Sequence, residues 1–139
     1  MLQIIRPELK HLKEIVALTR TTMFGEDSSE HKLHEFLKSQ LANLTTFFQI
    51  IEDNGVVKGV VTANLQRQVW DDKVVGYVGI IAGKDGYDKH LETIKNNLIA
   101  WAKENEAKQV IFVTVGIKDN IDGMPKEFKH LGSMYGVEL

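Results

Sequence analysis

Read as apolar and polar positions, the chain alternates between two periods. "LQIIR" (Leu2 to Arg6) is a short apolar run stopped by Pro7, and it predicts a strand. Leu9, Leu12, Ile15 and Val16 then recur every three to four residues, the period of an amphipathic helix. "TTMFGEDSS" (Thr21 to Ser29) breaks that period, and Asp27 followed by Glu30 has the form of a helix-capping pair. Leu33, Phe36, Leu37, Leu41 and Leu44 make a second helical stripe, which needs a surface to cover.

The period then shortens to two. "TTFFQIIE" (Thr45 to Glu52) and "VVKGVVTANLQRQ" (Val56 to Gln68) flank "DNG", a hairpin turn signal. Strict alternation in the second arm puts Val57, Gly59, Val61, Ala63 and Leu65 on one face, and Thr62, Asn64 and Gln66 on the other. "VWDDK" turns the chain into "VVGYVGII" (Val74 to Ile81), completing three antiparallel strands. A third helix carries Leu91, Ile94, Leu98, Trp101 and Ala102 at helical spacing, and "QVIFVTV" (Gln109 to Val115) reads as a strand buried on both faces. Strand, helix and buried strand form a βαβ unit with parallel strands. A polar loop, a short helix near Pro125 ending at Gly132, and a last strand "MYGVEL" close the pattern. It predicts one mixed α/β domain over residues 1–139, without repeats or linkers.

Composition narrows the partners. At 139 residues, with 43% hydrophobic and 26% charged positions, the chain can bury a core without staples. A net charge of −2 supplies no attraction to nucleic acid or an anionic membrane, so neither is expected as a partner. No apolar run reaches the length of a bilayer span, and the charged first twenty residues do not read as a secretory signal. The absence of cysteine excludes disulfides, cysteine nucleophiles and thiolate metal sites, and fits a reducing, cytoplasmic location.

Candidate chemistry concentrates in "IIAGKDGYDKHLETIKNN" (Ile80 to Asn97), where an apolar strand passes through a glycine-bearing turn into a helix. Helix-start amides and the helix dipole favour an anion there. Lys84, Lys89 and His90 add attraction, whereas Asp85 and Asp88 oppose it, and Asp88 is placed to be an ordinary N-cap. The turn therefore reads either as a phosphate cradle or as a plain corner. His31 and His34 share a helical face but lack a third ligand, and no metal is expected. Trp70 and Trp101 read as packing residues.

The order β-α-α-β-β-β-α-β-α-β resembles the GCN5-related N-acetyltransferase superfamily. The resemblance is carried by "IIRPELKHLKEIVAL", "IEDNGVVKGVV", "NLIAWAKENEAKQVIFVTV" and "NIDGMPKEFKHLGSMYGVEL", which together cover nearly the whole chain. It implies a mixed sheet whose fourth and fifth strands splay apart, and acetyl transfer from acetyl-CoA to a small-molecule or peptide amine, without metal. It implies that Ile80, Ile81 and Ala82 lie along the pantetheine arm. Gly83, Lys84, Gly86, Tyr87, Lys89 and His90 would then take the pyrophosphate, with Asn120 and Phe128 completing the cofactor site. The family's turn usually has small residues where Lys89 and Leu91 stand here, and a basic residue where Gly86 stands. Phe128 occupies a position that often carries the tyrosine protonating the departing thiolate, which leaves that role to Tyr135, Ser133 or water. Glu52 and Tyr77 are general-base candidates by position, each with a structural role as the alternative. Glu26 and Asp27 fall in the loop that often lines the acceptor pocket, and Asn64 and Gln66 offer neutral hydrogen bonds. One closing strand replaces the usual two, which makes a homodimer a plausible arrangement. The alternative function is a binding or regulatory module on the same fold, with catalysis lost.

Overall fold

The computed structural model describes residues 1–21 and 27–112. Over them the elements are β1 (Leu2–Ile5), a 3-10 turn (Leu9–His11), α1 (Leu12–Thr19), α2 (Glu30–Ala42), β2 (Phe47–Asp53), β3 (Val56–Arg67), β4 (Val74–Gly83), α3 (Asp88–Glu104) and β5 (Gln109–Phe112). The strands lie in sequence order, antiparallel from β1 to β4, with β4 and β5 parallel. The expected closing helix and last strand lie outside the described residues. Among the described residues, no helix is long and apolar enough to cross a membrane.

Helices cover both faces of the sheet. Leu12, Ile15 and Val16 of α1 and Leu37 of α2 pack on Phe48, Ile50, Val60 and Ile80. Ile94 and Leu98 of α3 pack on Phe47, Ile51, Val61 and Ala63 from the other side. Each large side chain fully buried in this way contributes about 1.5–3 kcal/mol over its exposed state. The α3 stripe is the expected one. Trp101 extends it, its ring 5.7 Å from Phe47 and its Nε1 donating to the Thr45 carbonyl at 3.3 Å.

The second helical stripe is narrower than expected. Leu37 is buried and Leu33 and Leu41 partly so, but Phe36 is 38% exposed and Leu44 84% exposed. The helix ends at Ala42, and Asn43 at its C-cap is extended, so Leu44 has left the helical phase. The guanidinium of Arg6 closes that end, donating to the carbonyls of Gln40, Leu41, Asn43 and Thr46 at 2.9–3.2 Å. A cation there meets the negative pole of α2. At the other end Ser29 caps the helix, its Oγ accepting the Lys32 N–H at 3.2 Å; the expected Asp27–Glu30 pair does not.

Two bulges redirect side chains. Asn54 and Gly55, with φ of 52° and 80°, form the left-handed pair that a tight hairpin turn requires. Beyond it Lys58 is an extra residue on β3, between the pairs Glu52–Val57 and Ile51–Gly59. Val57 therefore packs with α1, while Val61 and Ala63 pack with α3, which corrects the single face expected from alternation. Gly79 is the extra residue on β4, between the pairs Ala63–Val78 and Thr62–Ile80. The fully buried Thr62 hydroxyl accepts the Ile80 N–H at 3.1 Å beside this bulge.

Two further expectations are revised. Trp70 is 72% exposed, because β3 and β4 run past the start of β2 and the connecting turn projects beyond both helical layers. In β5, Gln109 is exposed and Val110 and Ile111 are half-buried, so this part of the run is not buried on both faces; residues 113–115 of it lie outside the described residues.

Candidate cofactor-binding site

Among the described residues, β4 pairs with β5 from Val75–Gln109 to Val78–Phe112, the last described pair, one residue before the bulge. From Gly79 to Gly83, β4 has a partner only on β3 among the described residues. Gly79 is exposed. A Cβ built on it would stand 3.3 Å from Thr62 Oγ1 and 3.6 Å from Phe36 Cζ, so α2 closes over the bulge from one side. Ile80 and Ala82 turn into the α1–α2 layer, and Ile81 is half-buried on the α3 side.

The turn between β4 and α3 presents backbone donors. Lys84 N–H donates to the Lys58 carbonyl at 2.9 Å, and Tyr87 N–H to the Lys84 carbonyl at 3.4 Å. The Tyr87 carbonyl accepts both the His90 and Leu91 N–H at 3.0 Å. The N–H groups of Asp85, Gly86, Asp88 and Lys89 donate to no acceptor among the described residues. Gly86 has φ 91°, and a Cβ there would meet nothing within 4 Å, so the mouth of the turn is open.

The two residues that disturb the family pattern are accommodated. Leu91 packs back toward the sheet: a Cβ on Gly83 would lie 2.8 Å from Leu91 Cδ1, so the glycine receives the leucine and its bulk leaves the turn. Lys89 is exposed. Asp88 begins α3 with Tyr87 at the cap position, and no side chain caps the helix. The expected Asp88 N-cap is therefore absent, because the carboxylate makes no cap bond. Open amides, a helix dipole, Lys84 and Lys89 favour an anion at this turn, against the carboxylates of Asp85 and Asp88.

The Tyr87 side chain does not enter that mouth. Its hydroxyl donates to Asp53 Oδ2 at 2.8 Å, and this bond raises the phenol above its ordinary pKa. His90, half-buried, sits with its ring 6.1 Å from that of Tyr87. A partner 34 residues away has no signature in the sequence.

The catalytic candidates separate. Glu52 Oε2 lies 2.7 Å from Nε2 of His11, which is buried. His11 Nδ1 accepts the Glu8 N–H at 2.9 Å, so the neutral ring carries its proton on Nε2 and donates it to Glu52. Glu52 sits four residues along β2 from Phe48, the partner of Thr62, roughly 13 Å along the sheet from the bulge at ~3.3 Å per residue. Tyr77 is closer: half-buried on β4, opposite Asn64, and two residues before Gly79. Asn64 and Gln66 alternate with Ala63, which places them on the same side as Thr62 and α2. Asp27 is exposed in the loop before α2. Glu26, Asn120, Phe128, Ser133 and Tyr135 lie outside the described residues.

Among the described residues, no group of three or more acidic or histidine side chains could hold a metal. His31 and His34 instead line, with Lys13, Val16 and Glu30, a groove of about 340 Å³ beside α1 and α2.

No family model matches the chain, and no curated protein matches it. Solved structures do. A predicted acetyltransferase from Clostridium acetobutylicum with acetyl-CoA aligns over 95% of this chain and 96% of its own, at 14% identity and a TM-score of 0.70. Glucosamine-6-phosphate N-acetyltransferase from Arabidopsis thaliana aligns over 93% and 99%, at 13% identity and a TM-score of 0.66. The aminoglycoside N-acetyltransferase AAC(6')-Iy, in complex with CoA, aligns over 82% and 77%, at 13% identity and a TM-score of 0.68. The sheet, its β4–β5 parallel pair and its helical layers are thus those of acetyltransferases, and the chain has the GCN5-related N-acetyltransferase fold.

Proposed function

We propose that this chain is an N-acetyltransferase that uses acetyl-CoA and acetylates a primary amine of a small molecule or peptide. One observation carries the reading. On an acetyltransferase fold, an open anion-binding turn lies roughly 17 Å along β4 from an exposed, bulged glycine, at ~3.3 Å per residue. Acetyl-CoA, when bound, supplies an acyl group already activated as a thioester. The amides of Asp85, Gly86, Asp88 and Lys89 would hold the pyrophosphate, with Lys84 and Lys89 offsetting its charge. The backbone of Ile80, Ile81 and Ala82 borders the arm, its side chains being committed to the core. Gly79 places exposed backbone, and no side chain, against the acyl carbonyl.

The proton chemistry belongs to the α2 side of the bulge. After Thr62, whose buried hydroxyl is engaged by the Ile80 N–H, Tyr77 and Asn64 are the described polar side chains next along the strands from Gly79, and they would orient the amine and accept its proton directly or through water. Glu52, held by His11, is the more distant candidate. Tyr135 keeps the role of proton donor to the departing thiolate. Asn120 and Phe128 belong to the same proposed cofactor site. A cytosolic location is part of this reading, supported by the lack of cysteine.

Calorimetric titration with acetyl-CoA tests it, followed by thiol-release assays with a panel of primary amines. Saturable micromolar binding and amine-dependent release are the expected results. No heat and no thermal shift at millimolar ligand would refute it. The engagement of Glu52 by His11 favours a second reading, a cofactor-binding module without turnover. Tight binding with no release for any amine would select that one.

A further inference from the structure

We infer that Asp53 is a positioning residue for the anion-binding turn: through the Tyr87 hydroxyl it fixes the start of α3 and so sets the turn's affinity for a diphosphate. The inference rests on the cofactor reading above for its ligand, but not for its geometry. The turn is held well at one end only. On the strand side, Lys84 N–H bonds to Lys58 at 2.9 Å. On the helix side, the Tyr87 N–H reaches Lys84 at 3.4 Å and no side chain caps α3. The amides of Asp85 and Gly86 stand between these points and those of Asp88 and Lys89 follow Tyr87, all four without acceptors among the described residues.

Tyr87 occupies the cap position, and its ring packs into the α3-side core. Its hydroxyl leaves that core to end on Asp53 Oδ2 at 2.8 Å. Asp53 is in turn rigidly placed. It closes β2, pairs with Leu2 on one side and Val56 on the other, and enters the tight turn of Asn54 and Gly55. The Asn54 N–H donates to the Met1 carbonyl at 3.2 Å, tying the same corner to the start of β1. A three-strand corner thereby holds Tyr87, the residue in the middle of the cradle. A phenol-to-carboxylate bond suits the task, because an ionised acceptor makes it stronger than a neutral pair. It also gives the Asp53 charge a donor of its own beside a site meant for an anion. The raised phenol remains protonated at neutral pH. Its stabilisation is full below the ordinary tyrosine pKa of about 10 and is lost as pH rises through the folded value.

The full-length protein tests this with Asp53→Ala, Tyr87→Phe and the double variant. Circular dichroism serves as the fold control. Each single change should weaken CoA binding about 5- to 20-fold and accelerate amide exchange at Asp85–Lys89. The double variant should be no weaker than the worse single, because both remove one bond. Asp53→Ala should also move one tyrosine titration down toward its ordinary value. Unchanged affinity in both singles, or additive losses in the double variant, would overturn the inference. So would weakening by Tyr87→Phe alone, since that outcome means the phenol touches the diphosphate directly. If wild type binds no CoA, the cofactor reading fails by itself. Amide exchange then decides: faster exchange in both variants upholds the brace, and unchanged exchange overturns it.

Discussion

Replacing Thr62 by valine isolates the bond that supports the β4 bulge. Thr62 is 0% exposed, and its hydroxyl accepts the N–H of Ile80, itself 1% exposed, at 3.1 Å. Valine keeps the branched shape but leaves that donor buried without an acceptor. An unsatisfied buried donor costs about 1–3 kcal/mol, and the added methyl recovers about 0.8 kcal/mol. The net loss is then about 0.2–2 kcal/mol, or a fall in Tm of up to roughly 8 °C for a domain of this size. Serine makes the complementary change, keeping the acceptor and removing one buried methyl at about 1 kcal/mol. Urea denaturation measures both losses, and hydrogen exchange at Ile80 separates their causes. Valine should expose the Ile80 amide to fast exchange, and serine should leave it protected. A valine variant within about 0.5 kcal/mol of wild type, with Ile80 still protected, would refute the account.

Other substitutions address the turn, the α2 end and the two tryptophans. Gly86→Val forces a branched residue into φ 91° with nothing to clash with, so backbone strain alone should cost about 1–2 kcal/mol, read as a lower urea midpoint. Its CoA affinity should fall as the turn is distorted, which calorimetry reads directly. Arg6→Ala strips the guanidinium from the last carbonyls of α2 and should cost about 1.5–3 kcal/mol. Arg6→Lys should recover only part of that, since an ammonium lacks the fork that spans several carbonyls. Trp70→Ser should change stability by less than about 0.5 kcal/mol, whereas Trp101→Ala should cost about 3 kcal/mol on the same denaturation curve.

Local signals in the sequence were legible where one element contains the whole cause. The α3 stripe is a single helical period, and Asn54–Gly55 specifies its turn by conformation alone. The βαβ order led to the parallel β4–β5 pair for the same reason. Signals that depend on a neighbour were not legible. Gly76 and Gly79 look alike within "VGYVGII", yet Gly76 admits the Trp101 ring, 3.2 Å from its would-be Cβ, while Gly79 is the bulge. Val57 changed layers because one residue, Lys58, is inserted against β2. The turn looked deficient because Leu91 was read where a small residue belongs; the compensating glycine sits eight positions earlier at Gly83 and meets it only in three dimensions. The Glu52–His11 and Asp53–Tyr87 pairs span 41 and 34 residues, beyond any periodicity.

The β4 bulge bears on how this strand can change in length. Val78 and Ile80 are two apart, yet they serve opposite layers, because Gly79 shifts the reading frame of the pleat. Were Gly79 to pair as an ordinary strand residue, the unbroken pleat would send Ile80 and Ala82 toward α3 and Ile81 toward α1, exchanging the contents of two cores. Deleting Gly79 instead removes the extra residue and leaves each side chain in its layer. A strand shorter by one residue is therefore compatible with both cores, provided that the residue lost is the bulge itself.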